Sequence, residues 1–187
     1  MNQNKTLTTK KIVICGLMAA LTVAGSALRI TLPLEIAGTT SFHLGNIMCA
    51  LSGILLGPWL GGLASGLGSA LYDIMNPLYI SECWITFLMK GAYGLVAGLI
   101  ASRKECDYAR ATAATVAGAL TYAVLYLAKS YFYSGIFLQG LAPEAAALAV
   151  AGKLPATLFN AVVAIVCAPV LAGAIRKALE RSHLTLD

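Results

Sequence analysis

Apolar residues fill six runs of the chain, separated by short segments rich in charge, glycine or proline. The runs predict helices over about 11–28, 43–57, 58–75, 82–101, 111–133 and 144–179. Most of them approach the roughly 20 residues that cross the hydrocarbon core of a bilayer, and the 43–75 pair is short for two spans. The pattern therefore predicts an all-α membrane protein, one domain over residues 1–187, with six transmembrane helices.

The second and third runs are threaded with glycine, which indicates close packing of two helices. Gly57-Pro58 divides them, because glycine favours a helix C-terminus and proline favours a first turn. On the third run, Gly62, Gly66, Ser69 and Asp73 recur at helical spacing and form a small-residue face. A carboxylate in a membrane is costly, so Asp73 is expected to face a cation or a polar cavity.

Composition narrows the class of protein. The chain is 59% hydrophobic and 11% charged, whereas charged residues make up about a quarter of soluble domains. The net charge of +5 comes from cations at the ends of apolar runs rather than from a patch, so nucleic acid is not an expected partner. The five cysteines lack metal-ligand spacing, so we expect inert thiols, no metal and no cofactor.

The first apolar run follows a basic N-terminal segment and could pass for a signal peptide. We favour a retained helix, because the run is long and the rest of the chain is itself polytopic. Its residues Gly16, Ala20 and Ala24 form a small-residue stripe. That stripe serves either packing within this protein or docking on another membrane protein.

An even number of helices places both termini on one side of the membrane, and the cations indicate which side. Nine of the thirteen lie on the side of the termini, which the positive-inside rule assigns to the cytoplasm; they are Lys5, Lys10, Lys11, Arg103, Lys104, Arg110, Arg176, Lys177 and Arg181. Four cations and four anions remain in the outer half, which predicts one polar cavity open to the outside; they are Arg29, Lys90, Lys129, Lys153, Glu35, Asp73, Glu82 and Glu144.

The fourth helix carries the first candidate binding residues. Glu82, Thr86 and Lys90 lie close to one face, with Ser81 available to cap the helix. A lysine about 12 Å along the axis from Glu82 is a candidate for ligand binding by its depth alone. The alternative is a structural salt bridge between Lys90 and Asp73, and the sequence does not separate the two.

On the fifth helix, Tyr122, Tyr126, Lys129 and Tyr133 follow helical spacing. Such a stripe suits stacking on a flat polar ring, although its outer members also fit an interfacial aromatic belt. After it, residues 134–143 are expected to be non-helical.

The sixth helix places Lys153, Thr157 and Asn160 on one face near Pro155. These three residues either line the same cavity or satisfy the backbone locally at a kink. His43 and Asn46, at the outer end of the second helix, either bind ligand or cap that helix. Residues 29–42, which include Pro33 and the GTTS run, are expected to form a polar loop.

Enzyme motifs are absent from the sequence: there is no G-x-S-x-G and no P-loop, and a serine with His43 lacks an acidic orienter. We therefore assign no catalytic residues. A small intramembrane enzyme or a stand-alone carrier is the alternative to a ligand-capture subunit, although a carrier is expected to show an internal repeat, and none is seen.

The segments FHLGNIMCALSGILLGPWLGGLASGLGSALYDI, ITFLMKGAYGLVAGLIA and GKLPATLFNAVV, with the pair Ala20 and Ala24, resemble the substrate-binding S component of energy-coupling factor (ECF) vitamin transporters, of the riboflavin and hydroxymethylpyrimidine type. The resemblance implies six helices, an outward site capped by the loop after helix one, and a bacterial plasma membrane location. It implies a complex with a membrane coupling protein and two ATPases, docked through Gly16, Ala20 and Ala24.

The expected ligand is a small nitrogen heterocycle: pyridoxine, hydroxymethylpyrimidine, a queuosine precursor or, less favoured, riboflavin. Both charge signs in the outer half favour a neutral or zwitterionic molecule over a strongly charged one. The residues expected to bind it are His43, Asn46, Asp73, Glu82, Thr86, Lys90, Tyr126, Lys129, Tyr133, Lys153 and Asn160.

Overall fold

The computed structural model describes residues 9–33, 39–102 and 106–182. Within them, five helices are long and apolar enough to cross a membrane. They are α1 (Thr9–Ala27), α2 (Gly45–Ile74), α3 (Cys83–Ala101), α4 (Tyr108–Ala128) and α5 (Pro143–Arg181). A 3-10 turn, Ile80–Glu82, leads into α3, and a π-helix, Lys129–Leu138, continues α4. The chain is thus a helical, multi-pass membrane protein.

Helix α2 is broken in the middle. Gly57 has a φ of 77°, a left-handed conformation that favours glycine, and Pro58 follows it. The two arms run antiparallel, as shown by the hydrogen bond that Ser65 Oγ donates to the Cys49 carbonyl at 3.2 Å across the break. A Cβ atom on Gly61 would lie 2.5 Å from the Cα of Gly53. The break lies at the predicted boundary between the second and third runs.

The small-residue face of the second arm packs against α3. A Cβ atom at Gly62 would lie 3.0 Å from the Gly91 carbonyl oxygen, and one at Gly66 would lie 2.8 Å from that of Phe87. Larger residues at these positions would therefore push the two helices apart. This close contact fixes α3, and with it Lys90, relative to Asp73.

Residues 29–42 are not the simple polar loop that the sequence predicted. Strand β1 (Arg29–Pro33) pairs antiparallel with β2 (Thr39–His43), with Arg29 opposite His43. The prediction missed the hairpin because each strand is only five residues long and β2, TTSFH, shows no alternation. Glu35, one of the predicted outer anions, lies outside the described residues, as do Lys5, Arg103 and Lys104.

Two helix boundaries also differ from the prediction. Helix α4 begins at Tyr108 rather than near residue 111, because the side chain of Asp107 accepts a hydrogen bond from the Arg110 N–H at 2.9 Å and caps it. Ser81 does not cap α3; it lies inside the 3-10 turn, and Glu82 occupies the N-cap position. Helical structure also continues to Leu138, through part of the segment predicted to be non-helical.

Arg176 of α5 ties together the end of the bundle that lies away from the β1–β2 hairpin. Its guanidinium donates to the Cys106 carbonyl at 2.5 Å and to the Ile54 carbonyl at 3.0 Å. These bonds satisfy backbone acceptors before α4 and near the end of the first arm of α2, and they tie both to α5. The opposite end of the bundle, beneath the β1–β2 hairpin, is the open one.

Candidate functional site

A polar cavity of about 300 Å³ lies beneath the β1–β2 hairpin, among α2, α3, α4 and α5. Every one of these elements contributes polar or charged side chains to it. The lining residues are Ser26, Arg29, Thr40, Ser41, His43, Ser69, Asp73, Leu78, Tyr79, Ser81, Glu82, Thr86, Met89, Lys90, Tyr122, Tyr126, Lys129, Ser134, Leu138, Gln139, Lys153, Thr157 and Asn160.

Nine of the eleven residues that the sequence singled out for binding lie in this lining, and two do not. The nine are His43, Asp73, Glu82, Thr86, Lys90, Tyr126, Lys129, Lys153 and Asn160. The other two do not line the cavity: Asn46 bonds to Lys90, which does, and Tyr133 packs against Trp84. Residues more than a hundred positions apart thus meet in one space.

Lys90 is held by Asn46 rather than by Asp73. Its ammonium donates to Asn46 Oδ1, and it lies over the ring of Tyr122, 3.9 Å from the centroid. The hypothesis of a Lys90–Asp73 salt bridge is therefore wrong for this structure, in which no such pair forms between these two described residues. Asn46 therefore holds the side chain of Lys90, a residue that is 4% exposed.

Glu82 and Lys129 form an ion pair on the wall of the cavity. Lys129 Nζ lies 2.5 Å from Glu82 Oε2, and Ser134 Oγ donates to Glu82 Oε1 at 3.4 Å. The pair links the 3-10 turn before α3 to the π-helix. Two of the predicted binding groups therefore already neutralise each other.

Tyr133 leaves the cavity because the helix changes its period. A π-helix hydrogen-bonds over five residues instead of four, so the α-helical spacing that aligned Tyr133 with Tyr122 and Tyr126 does not continue past Lys129, and Ser134 lines the cavity instead. Tyr133 instead packs against Trp84, edge to face at 6.3 Å, and stacks on Phe137 at 6.0 Å. The predicted stripe assumed an unbroken α-helix and placed this ring on the wrong face.

Three tyrosines form a stack along one side of the cavity. The ring centroids of Tyr93 and Tyr122 are 6.2 Å apart, and those of Tyr122 and Tyr126 are 5.7 Å apart, with interplanar angles of 30° and 19°. Lys153 Nζ lies 5.9 Å from the centroid of Tyr126. Tyr122 and Tyr126 both line the cavity, with an ammonium group near each.

Helix α5 supplies Lys153, Thr157 and Asn160 from one face, as the sequence predicted. Lys153 Nζ donates to Ser130 Oγ at 3.4 Å. Thr157 Oγ1 donates to the Lys153 carbonyl at 2.8 Å. The carbonyl that Pro155 leaves without its helical donor is that of Ala151, so this bond does not test the alternative of satisfaction at the kink. The three residues do line the cavity together.

Asn160 fastens the hairpin to α5. Its Oδ1 accepts from the His43 N–H at 2.9 Å, and its Nδ2 donates to the Ser41 carbonyl at 2.8 Å. Phe42 packs edge to face on Phe159 at 5.0 Å beside these bonds. The amide thus positions the strand that covers the cavity.

His43 is neutral and engaged with the backbone. Burial, with the positive charges of Lys90 and Arg29, holds the pKa of its imidazole well below the usual range. Its Nδ1 accepts from the Gly45 N–H at 3.2 Å at the start of α2. Ser65 hydrogen-bonds to the Cys49 and Gly61 carbonyls instead of to this histidine, so the geometry of a serine–histidine pair is not formed.

The sequence of this chain matches a known protein family. Residues 6–177 match the family described as the S component of ECF-type riboflavin transporters. The chain belongs to this S component family. The resemblance read from the glycine-rich segments is thereby confirmed, and this S component is a substrate-binding subunit of a membrane transporter.

Two relatives are similar over part of this S component. A protein of Pyrococcus woesei, described as an uncharacterized protein in the gap 3' region, is 34% identical over 116 residues, which cover 62% of this chain and 74% of the relative. A UPF0397 protein of Streptococcus gordonii is 36% identical over 95 residues, which cover 51% of this chain and 48% of the relative. Neither name states a ligand.

Some residues that line the S component's cavity were not among the predicted binding residues. Arg29 stacks its guanidinium on Tyr72 and Tyr79, at 4.2 and 4.9 Å from their centroids, and its Nε donates to the Ser26 carbonyl. Its charge at the outer end of α1 was the available signal. Ser134 carried no signal under an α-helical period.

The described lining of the cavity has more cations than anions, whereas the sequence predicted equal numbers of both in the outer half of the protein. All four predicted outer cations line the cavity, and so do Asp73 and Glu82, two of the three predicted anions that the structure describes. The third, Glu144, lies exposed in the first turn of α5. Four cations and two anions of the predicted set therefore line the cavity among the described residues, which do not include Glu35.

Proposed function

We propose that this protein captures a small heterocyclic vitamin or vitamin precursor from outside the cell and delivers it through an ECF energising module. The observation that carries this proposal is the cavity itself, in which a tyrosine stack and charged groups from four helices face one space beneath a hairpin. Pyridoxine, hydroxymethylpyrimidine and a queuosine precursor are the first candidates, and riboflavin is the less favoured one.

The direction of capture follows from a topology with six spans and both termini in the cytoplasm. The antiparallel arms of α2 support two crossings, one on each side of Gly57. Six of the described cations, Lys10, Lys11, Arg110, Arg176, Lys177 and Arg181, lie at the ends of helices opposite the cavity, as the positive-inside rule requires of a cytoplasmic face. The cavity then opens to the outside of a bacterial plasma membrane.

The partner is a membrane coupling protein that carries two ATPase subunits, and α1 is its docking element. Gly16, Ala20 and Ala24 are all exposed, whereas the opposite face of α1 is buried in the bundle. A Cβ atom on Gly16 would meet nothing within 4 Å. A helix of the partner can therefore approach the backbone of α1 closely.

The experiment that tests the function has two stages. Native mass spectrometry of the purified protein identifies small molecules that co-purify with it, and uptake of the identified compound is then measured in cells with and without the energising module. We expect one heterocyclic compound in near-stoichiometric amount and uptake only when the module is present. Uptake by this chain alone would instead establish a stand-alone carrier.

A further inference from the structure

Among the described residues, the cations of the cavity exceed its anions, and the excess is concentrated on two lysines. Four cationic and two anionic side chains of these residues line it: Arg29, Lys90, Lys129, Lys153, Asp73 and Glu82. Lys129 is neutralised by Glu82 at 2.5 Å. The guanidinium of Arg29 lies against two tyrosine rings. The ammonium groups of Lys90 and Lys153 remain, with Asp73 to offset one charge.

Lys153 has the least satisfied of these charges. An ammonium group has three N–H donors, and the acceptor that the described residues offer Lys153 is Ser130 Oγ at 3.4 Å, a long bond. Lys153 is 5% exposed, so the water that reaches its ammonium group is that of the cavity it lines. Lys90, by comparison, has both the amide of Asn46 and the face of Tyr122.

A ligand that fills the cavity makes this imbalance more costly, because it displaces the water that solvates the ammonium group. A neutral ring would leave the Lys153 charge buried with donors unmet. An anionic oxygen would satisfy those donors by charge-assisted hydrogen bonds, which are the strong kind.

We infer that the ligand carries an acidic group, a carboxylate or a phosphate ester, which binds Lys153 while its ring lies along Tyr122 and Tyr126. This inference rests on the proposed function, and it favours acidic ring compounds over the four compounds named there, none of which carries a carboxylate or a phosphate. It replaces the neutral or zwitterionic ligand expected from the sequence, because Glu144 lies away from the cavity and Glu82 is already paired.

The probe is yeast extract, a mixture rich in vitamins, separated at pH 7 on an anion exchanger. Compounds that the exchanger retains form the acidic fraction, and the flow-through forms the neutral and basic fraction. Purified protein is incubated with each fraction, desalted and examined by native mass spectrometry. We expect a compound from the acidic fraction alone, and phosphatase treatment of the extract before separation tells a phosphate ester from a carboxylate.

The variant Lys153→Met tests the assigned contact with that compound. Loss of a hydrogen bond between charged groups should weaken affinity by about tenfold to a hundredfold, and Lys153→Arg should recover most of the loss. The matched control is Lys177→Met, on an exposed turn of the same helix, and its affinity should equal that of the wild type. Size-exclusion chromatography verifies that each variant is folded.

Each contrary outcome has a separate meaning. A compound retained from the flow-through alone overturns the inference and leaves the proposed function standing. Retention from neither fraction overturns the proposed function, and the inference with it. Equal affinity of the wild type and Lys153→Met for the acidic compound overturns the role given to Lys153. The comparison of fractions needs only the wild-type protein, so it decides the ligand class even where a variant does not fold.

Discussion

The side chain of Asn160 accepts a hydrogen bond from the backbone N–H of His43 at 2.9 Å and donates one to the carbonyl of Ser41 at 2.8 Å. One amide thus continues the hydrogen bonding of β2 onto α5. The described part of the hairpin is joined to α1 by the chain itself, and Asn160 secures its other side. Movement of β2 away from the cavity requires both bonds to break.

Replacement of Asn160 by alanine should loosen this strand. It leaves a donor and an acceptor unpaired, at a cost of about 1–3 kcal/mol for each buried group. Hydrogen exchange followed by mass spectrometry should show faster exchange in peptides that cover residues 39–43. Val162→Ala, on an exposed position of α5, is the control and should leave that exchange unchanged. Unaltered exchange in Asn160→Ala would show that the hairpin is held by other contacts.

The Glu82–Lys129 pair should respond differently to truncation and to exchange of its partners. Its side chains are 24% and 12% exposed, so solvent screens part of the attraction. Glu82→Ala or Lys129→Ala should lower the melting temperature and, where the group contacts ligand, weaken binding by about tenfold to a hundredfold. The double variant Glu82→Lys with Lys129→Glu should restore the melting temperature.

Binding by the exchanged pair then separates two roles. If either residue contacts the ligand, isothermal titration should show weak binding even though stability has returned. Full recovery of affinity in the exchanged variant would mean that the pair only holds the π-helix to the turn before α3.

His43 should make stability depend on pH near neutrality. Its pKa in the folded protein is lowered, so below about pH 6.5 the unfolded chain takes up a proton that the folded protein does not. Stability therefore falls with decreasing pH, by up to about 1.4 kcal/mol per pH unit until the folded pKa is reached. Melting temperatures between pH 5 and 7.5 should show a shallower slope for His43→Gln. The same slope in both proteins would refute a buried neutral imidazole.

Substitution of Ala20 and Ala24 by tryptophan should abolish uptake without affecting ligand binding by the isolated protein. Both residues are exposed, and the added rings would keep a partner helix from approaching α1. Leu120→Trp, on an exposed position of α4, is the control and should transport normally. Loss of ligand binding in the α1 variant would place the stripe in the internal packing of the bundle.

Cysteines introduced at Thr8 and Ser182 should resist a membrane-impermeant reagent in intact cells, in a background without the native cysteines. Ala142→Cys, between the π-helix and α5, should react and serves as the positive control. Reaction at Ser182→Cys would reverse the proposed orientation. A mature chain that begins after Ala27 would instead support the signal-peptide interpretation.

The sequence predicted the elements whose signal is long and repeated. Apolar runs located every membrane-length helix of the described residues, and Gly57-Pro58 located the break in α2. The same logic brought Lys153, Thr157 and Asn160 to one face. Short elements escaped, since the two strands of the hairpin are five residues each and their pairing is set by α5 and not by their own pattern.

The sequence also could not predict which groups pair with the buried charged side chains. Opposite charge made Asp73 the expected partner of Lys90. The ammonium group instead donates to the side-chain amide of Asn46, which is uncharged. Which of two acceptors a lysine meets depends on how two glycine-lined helices slide against each other. No local pattern records that offset.

The π-helix at Lys129–Leu138 has a consequence for how sequences of this family are compared. A helix of this kind holds one residue more than an α-helix of the same reach, so it marks the place where an insertion can be absorbed without moving the ends of the helix. A homologue one residue shorter there would bring the counterpart of Tyr133, not of Ser134, to the cavity. An alignment without a gap would then equate a ring outside the cavity with a hydroxyl that lines it, and cavity residues inferred column by column would be misassigned from that position onward.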